Sequence, residues 1–162
     1  MQMCNAEIIK KVKLLEQNKS DILMEELRSH QVTYQNEKDR FDYGYSFAET
    51  RDKINTLDAE IRKLKRLLNL SNATTVVPEF SMTLGECLVY LAQLNREMST
   101  VATLARKQDK TTDTRYGGVV EYTVLNYDKA ECQAKLEWLK DTIAQLQITI
   151  DRTNLTNMIE IE

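Results

Sequence analysis

Asparagine and threonine collect at the ends of two predicted helices, and they are the most unusual candidates for a site in this sequence. The six residues are Asn69, Asn72, Thr74, Thr75, Asn154 and Asn157. An asparagine buried between helices fixes their register or their number at a cost in stability. Asn and Thr also end helices simply by bonding free backbone groups. The pattern therefore predicts either a register-fixing polar cluster or ordinary helix ends, with a small-ligand pocket as a third interpretation.

A basic run lies near the end of the second predicted helix, where it could contact phosphate groups. Its members are Arg62, Lys63, Lys65 and Arg66. Basic residues of the 106–115 loop could add to it if the fold brings that loop near. However, Glu60, Asp109 and Asp113 are interleaved with these cations, and the helix dipole itself favours a basic C-terminal end. Nucleic-acid binding is therefore the alternative function and not the main one.

The segment 119–125, VVEYTVL, is rich in β-branched and aromatic residues and predicts a strand. Its backbone groups need partners if they are buried, and the other β-prone stretch, 74–77, is short and followed by Pro78. The polar stretch 109–118 is predicted to be a mobile loop. A second copy of the chain could supply the missing bonds across a two-fold axis, so we predict a homo-oligomer, a dimer or higher. The predicted oligomer contacts are Val120, Tyr122 and Val124.

No set of residues in the sequence suits catalysis, a metal or a cofactor. His30 is the only histidine, which excludes multi-histidine metal sites. It stands amid Arg28, Ser29 and Gln31 on the first predicted helix and is expected to be a surface residue and not a member of a triad. Gly117-Gly118 precedes the predicted strand, whereas a phosphate-binding loop follows a strand and leads into a helix. The three cysteines are far apart, as is typical of reduced thiols in the cytoplasm. We therefore predict a non-enzymatic cytoplasmic protein without catalytic residues, metal or cofactor.

Four helices are predicted to position these groups, at about 4–38, 46–72, 83–108 and 128–157. The second helix has the clearest signals, because Ser46 and Glu49 can form a capping box. Its apolar residues then recur at alternating spacings of three and four, at Ile54, Leu57, Ile61, Leu64 and Leu68. The connection between the first two helices is short, which predicts an antiparallel hairpin. A short frayed tail is expected after residue 157.

The composition favours one helical domain spanning 1–162. The sequence has only 4 Gly and 1 Pro in 162 residues, so long uninterrupted helices are expected. No apolar run approaches the roughly 20 residues needed to span a membrane, and the charged N-terminal segment does not resemble a secretory signal. We therefore predict an all-α fold without membrane association: an elongated antiparallel bundle of two long helical hairpins, with a small β element near 119–125.

The segment IRKLKRLLNLSNATTVV, followed by a long helix, a polar loop, a strand and a closing helix, resembles a family of small helical coiled-coil bacterial proteins of unknown function. Asn69, Asn72, Ala73 and Thr74 match the family's ending of helix two, whereas Leu70 and Ser71 stand where Arg and Thr are usual. Some members are labelled septicolysin, but the sequence has neither a signal segment nor a membrane-inserting run to support a toxin. The resemblance implies a helical coiled-coil fold and no established chemistry.

Taken together, these patterns predict a self-associating cytoplasmic scaffold or interaction protein.

Overall fold

The computed structural model describes residues 1–161, and this part of the chain is mainly helical, with 66% of it in helix. The four α-helices are α1 (Asn5–Ser29), α2 (Phe47–Thr74), α3 (Leu84–Ala105) and α4 (Lys129–Thr156). Six short strands form three two-stranded antiparallel sheets. They are β1 (Gln2–Cys4) with β6 (Met158–Glu160), β2 (Val76–Val77) with β3 (Met82–Thr83), and β4 (Lys110–Thr114) with β5 (Val120–Val124). The prediction of a mainly helical protein is confirmed, and the elongated bundle of two hairpins stays a prediction.

The chain divides into two compact units, the first of which comprises Met1–Thr75 and the segment from Asn154 onward. In this unit α1 and α2 run antiparallel, because Lys19 pairs with Asp58 at 2.7 Å while Glu26, further along α1, pairs with Arg51, nearer the start of α2. The buried side chains between these helices form one apolar cluster, made of Ile8, Val12, Leu15, Ile61 and Leu64.

The first helix is shorter than predicted, since α1 ends at Ser29 and not near residue 38. Its last apolar residues at helical spacing reach only Leu27, and the segment that follows contains the β-branched pair Val32 and Thr33. A helix continued there would have no apolar face to bury, and helices in proteins depend mainly on such burial. A short 3₁₀ turn, Glu37–Asp39, lies in the connection to α2.

The second unit, Val76–Thr153, has its own core, built mainly from α3 and α4. Its fully buried or nearly buried residues are Val77, Leu84, Cys87, Leu94, Leu139, Ile143, Leu146 and Ile150. A complete capping box begins α3: Glu86 N donates to Thr83 Oγ1 at 3.2 Å, and Thr83 N donates to Glu86 Oε2 at 2.7 Å. These caps and apolar faces are local features, which is why the bounds of α2, α3 and α4 lie within three residues of the predicted ones.

The predicted strand near 119–125 is present as β5, but the expectation that it lacks a partner nearby is wrong. The polar stretch predicted to be a mobile loop contains β4, which pairs with β5 from Lys110 opposite Val124 to Thr114 opposite Val120. The turn between them uses Gly117 and Gly118, with φ of 97° and 78°, a conformation that glycine adopts without strain. Three threonines among the five residues of β4 add β propensity. The 74–77 stretch pairs elsewhere, through β2 with β3.

The segment after α4 is also ordered as a strand, contrary to the expected frayed tail. β6 pairs antiparallel with β1, with Gln2 opposite Glu160 and Cys4 opposite Met158. The ribbon extends to Met1 and Ile161, since Ile161 N donates to Met1 O at 2.8 Å. Met3 and Ile159 pack against the core of the first unit, so both strands of this β1–β6 pair help to cover that core.

No helix in residues 1–161 is long and apolar enough to cross a membrane.

Candidate functional site

The end of α2 carries one of the structure's two candidate sites, a polar cluster that joins three parts of the first unit. Its hub is Asn5, the first residue of α1, which is fully buried. Ser71, in the last turn of α2, is also buried. Asn154 in the last turn of α4 and Asn157 just after that helix complete the cluster. The cluster therefore ties the start of one helix to the ends of two others.

The hydrogen bonds of this cluster form a closed network. The Asn5 Oδ1 accepts from Ser71 Oγ at 3.0 Å and from Asn157 Nδ2 at 3.4 Å, and Asn5 Nδ2 donates to Asn154 Oδ1 at 3.3 Å. Asn157 Nδ2 also donates to Ser71 Oγ at 2.9 Å, and Ser71 Oγ lies 3.4 Å from Thr75 Oγ1. None of these side chains has a buried polar atom left without a partner. Such a network stabilises one arrangement of the helices.

Three of the six predicted polar residues belong to this cluster, and three do not. Asn154, Asn157 and Thr75 are members. Asn69 and Thr74 are exposed, and Thr74 Oγ1 bonds the Leu70 carbonyl of its own helix at 2.9 Å. Asn72 is half-buried and takes no part in the network. Each of the two main interpretations therefore applies to some of these residues. Asn154, Asn157 and Thr75 join helix ends, while Thr74 bonds only the backbone of its own helix.

Sequence reasoning missed Asn5 and Ser71. Asn5 sits at the start of a helix, where asparagine is common as a cap, so an asparagine at this position does not by itself indicate a functional site. Ser71 was noted only as a departure from the resembling family's motif. The helical spacing does indicate that Ser71 is buried, because it lies three residues after Leu68 and seven after Leu64 and therefore on the same apolar face of the helix.

The basic residues of α2 are exposed and partly neutralised. Lys65 Nζ pairs with Glu16 of α1 at 2.6 Å. Arg62 and Arg66, one turn apart, are exposed and have no ion pair within the described chain. In the second unit, two basic residues of the 106–115 segment are engaged within the hairpin: Arg115 Nε lies 2.8 Å from Glu121 Oε2, and Lys110 Nζ lies 4.4 Å from the ring centre of Tyr122.

The second candidate site is the β4–β5 ribbon, in which every residue of both strands is exposed. Side chains alternate across a strand, so Val120, Tyr122 and Val124 share one face. They are 45%, 63% and 61% exposed, respectively. The opposite face carries Glu121 and Thr123. The face of the ribbon defined by Val120, Tyr122 and Val124 is termed its apolar face, because β5 contributes only large hydrophobic side chains to it. Lys110, Thr112 and Thr114 of β4 lie opposite these residues on the same face.

A third polar group lies where the α1–α2 connection meets the helices. Tyr45 Oη donates to Glu26 Oε1 at 2.7 Å, and Arg51 pairs with the other oxygen of Glu26. The Tyr45 hydrogen bond is the main reason that the pKa of Glu26 is below its usual range, and the same bond raises the pKa of Tyr45. A cavity of about 200 Å³ lies beside this group, with Glu25, Glu49 and other polar residues in its wall. The group anchors the connection, and its carboxylate is already neutralised by Arg51.

The described residues bring no three side chains of the His, Cys, Asp and Glu types together as metal ligands. His30 is exposed at the end of α1, with Nδ1 2.9 Å from the Glu26 carbonyl oxygen. Burial raises the pKa of the Cys87 thiol, which disfavours the reactive thiolate.

The fold and these sites describe a mainly helical protein with two separate cores and an exposed apolar β-ribbon. No protein-family model matches the chain. No curated protein matches it either. Among solved structures it is similar to a functionally unknown conserved protein from Corynebacterium diphtheriae, with a TM-score of 0.71 and 20% identity over 99% of this chain and 100% of that chain. This likeness shows the shared fold. The similar protein is bacterial and of unknown function, as the sequence resemblance implies, and the match shows no link to the septicolysin label.

Proposed function

We propose that this protein is a non-enzymatic, self-associating scaffold or interaction protein, and that the apolar face of the β4–β5 ribbon is its contact surface. The observation that carries the proposal is the exposure of Val120, Tyr122 and Val124 on one face of a ribbon that has no third strand. An isolated two-stranded hairpin is marginally stable in water and gains stability from further strands or from packing. Association that buries this face would supply that packing.

The absence of an activated nucleophile or acid–base pair among the polar groups described above supports a non-enzymatic role. The polar cluster around Asn5 contains only amides and hydroxyls, which do not ionise near neutral pH. The Glu26 carboxylate has its pKa lowered by Tyr45, whereas a general acid or base works best with a pKa near the operating pH.

Sedimentation velocity at micromolar concentration tests the proposal. The wild-type protein is expected to sediment as a dimer or larger species. A triple variant with Val120→Thr, Tyr122→Thr and Val124→Thr is expected to shift toward the monomer, because threonine keeps the β propensity while removing apolar surface. Its helical circular dichroism should be unchanged, since these residues lie outside the helices.

The matched control changes the polar face of the same strand, with Glu121→Gln and Thr123→Ser. It is expected to associate like the wild type. A wild-type protein that is monomeric at these concentrations would contradict the proposal, and equal loss of association in both variants would move the contact away from the apolar face.

Nucleic-acid binding is a second candidate, favoured by the exposed and unpaired Arg62 and Arg66 on successive turns of α2. Phosphate contacts make affinity fall steeply with salt. Arg62→Gln with Arg66→Gln should then abolish salt-sensitive retention of DNA or RNA in a filter-binding assay. Lack of any retention by the wild type at low salt would exclude this candidate.

A cytoplasmic location and membership of the coiled-coil family noted in the sequence are also part of the proposal. The cytoplasmic location is supported by the cysteines, since Cys4, Cys87 and Cys132 are all unpaired, as is usual in a reducing compartment.

A further inference from the structure

The β4–β5 ribbon has two open edges, and the edge of β5 is the better place for a second copy to bind. We propose that β5 pairs antiparallel with β5 of a second copy across a two-fold axis, with Tyr122 opposite its own counterpart. The pairing rests on the proposed self-association and deepens it by naming the strand and the register. It joins two ribbons into one four-stranded sheet.

The hydrogen bonds inside the ribbon determine which backbone groups of β5 are free. Arg115 N donates to Val119 O at 2.9 Å, and Leu125 N donates to Asp109 O at 3.1 Å. Both pairs continue the register of the ribbon. Directly opposite pairs alternate between bonded and non-bonded in an antiparallel ladder, so the odd-numbered residues of β5 bond toward β4. Even-numbered residues therefore present their backbone N–H and C=O at the open edge, at Val120, Tyr122 and Val124.

No backbone hydrogen bond within residues 1–161 reaches this edge, because β5 has β4 as its one neighbour in the described sheets. A second strand can therefore form hydrogen bonds at this edge only if its residues with free backbone N–H and C=O groups lie opposite Val120, Tyr122 and Val124. For two copies of β5 this requires a pairing of even-numbered residues with even-numbered residues. The two-fold axis can then lie at any residue of β5, and the three interior positions, Glu121, Tyr122 and Thr123, pair the most residues.

Charge and length select one of these three positions. An axis at Glu121 would place two carboxylates directly opposite each other with Cα atoms about 4.5 Å apart, which is destabilising. An axis at Thr123 would place Val120 opposite residue 126, beyond the end of the strand. An axis at Tyr122 pairs all five residues without opposing like charges. The pairs are then Val120 with Val124, Glu121 with Thr123, and Tyr122 with Tyr122.

The edge of β4 is less suited to this pairing. β4 carries Lys110 and Asp113 among its five residues, and charged side chains on an edge strand oppose edge-to-edge association. On β5 the one charge, Glu121, is already paired with Arg115. Valine and tyrosine also make favourable cross-strand pairs. In the paired sheet each Tyr122 packs beside its counterpart and each Val120 beside Val124 of the other copy, so part of the apolar face of each copy is covered by the other.

Cysteine cross-linking reads the register without changing the apolar face. The background carries Cys132→Ser, because Cys132 is partly accessible while Cys4 and Cys87 are buried. Glu121→Cys and Thr123→Cys are made in separate proteins, one with a longer tag, and are mixed under mild oxidation. The mixture is expected to give a heterodimer joined by a disulfide, since opposite Cα atoms about 4.5 Å apart lie within the range for such a bond. Each variant alone should cross-link several-fold less.

Other cross-linking patterns overturn the pairing. Efficient self-linking of Glu121→Cys or Thr123→Cys would move the axis to that residue. A Thr112→Cys variant that links more efficiently than the mixture would move the contact to β4. Sedimentation of the reduced wild-type protein separates the two proposals: a dimer without the 121–123 link overturns only the pairing, whereas a monomer overturns self-association itself.

Discussion

At the scale of single residues, Asn5 has the most connected side chain in the polar cluster. Its amide contacts Ser71, Asn154 and Asn157, which are 66, 149 and 152 residues away in the sequence. Each partner is itself partly or fully buried. A buried polar group that loses its partner keeps its desolvation cost without compensation. Asn5 therefore stabilises the packing of three helix ends as long as all its bonds are made.

Replacing Asn5 by alanine is expected to lower the free energy of unfolding by about 1–3 kcal/mol, because it leaves Ser71 and Asn157 short of an acceptor. Denaturant unfolding followed by circular dichroism measures the change. The matched control is Asn69→Ala, at an exposed position outside the network, where a change within about 0.5 kcal/mol is expected. Equal effects at both positions would mean that the network does not stabilise the fold.

Glu26 gives a pH-dependent prediction at the same scale. Its pKa is lowered chiefly by the Tyr45 hydrogen bond and also by Arg51. A carboxyl group with a lower pKa in the folded state contributes stability above its unfolded pKa and loses that contribution as the pH falls through the folded pKa. Tyr45→Phe removes the main cause, so the pKa of Glu26 should rise.

The stability that Tyr45→Phe loses should accordingly be larger at pH 7 than at pH 3. Two measurements check this: the pKa of Glu26 from NMR titration, and the difference in denaturation midpoint between the two pH values. Tyr34→Phe is the control, since Tyr34 lies in the same connection and does not contact Glu26. A pKa of Glu26 that is the same in Tyr45→Phe and in the wild type would contradict the assignment.

At the scale of elements, the stability of the β4–β5 ribbon depends on the turn between its strands. Gly117 and Gly118 both have positive φ, and no atom would contact an added Cβ at either position. The effect of a side chain there would therefore be conformational strain, on the order of 1–2 kcal/mol for each residue. Arg115 lies beside this turn and is exposed, which makes it a natural site for trypsin.

Trypsin under native conditions is expected to cut at Arg115 before it cuts at the basic residues of α2, which lie within a helix. The variant Gly117→Ala with Gly118→Ala should be cut faster at Arg115, because strain opens the ribbon. Gly44→Ala is the matched control: its φ is also positive, at 64°, but it lies in the α1–α2 connection. Mass spectrometry of early fragments measures the order. First cleavage between Arg62 and Arg66 would show that α2 opens more readily than the turn.

At the scale of the whole molecule, the two ends of the chain are structurally dependent on each other. β1 precedes α1 and β6 follows α4, yet they form one ribbon whose residues Met3 and Ile159 cover the core of the first unit. Removing one strand leaves the backbone groups of the other without partners.

Truncation after Asn157, which deletes β6, should therefore abolish hydrogen-exchange protection at Met3, whose backbone bonds toward β6, and reduce it in α1. Protection at Leu94 in α3 should change little, because that residue belongs to the other core. Truncation after Glu160 keeps β6 and serves as the control. Unchanged exchange at Met3 in the shorter protein would contradict the dependence of β1 on β6.

The helices were largely predictable from the sequence, and the reason lies in short distances along the chain. Thr83 and Glu86 are three residues apart and cap α3 as their spacing predicts. The start of α2 follows from Ser46 in the same way, since Glu49 N donates to Ser46 Oγ at 3.4 Å. The end of α1 was missed because polar residues such as Gln31 and Gln35 are compatible with helix. The helix ends after Ser29 because the segment that follows has no apolar face to bury.

The partner of β5 was missed for a different reason. Thr111, Thr112 and Thr114 are polar, so the segment resembles a loop by hydropathy even though threonine favours strands. The Gly117-Gly118 turn was visible and is a strong hairpin signal when β-prone residues stand on both sides. The β-branched side chains of these threonines predict a strand, and with it the β4–β5 ribbon, when their polarity is set aside.

The sequence by itself determined the helical class of this protein and the apolar stripe of α2, because caps and stripes depend on residues three or four apart. Only the tertiary structure decided which polar residues meet. Asn5 and Asn154 are 149 residues apart, and nothing in their local sequence indicates that the beginning of α1 lies against the end of α4. The same holds for Gln2 opposite Glu160. Contacts of this kind depend on how helices pack and where each chain end returns, and those are properties of the folded chain as a whole.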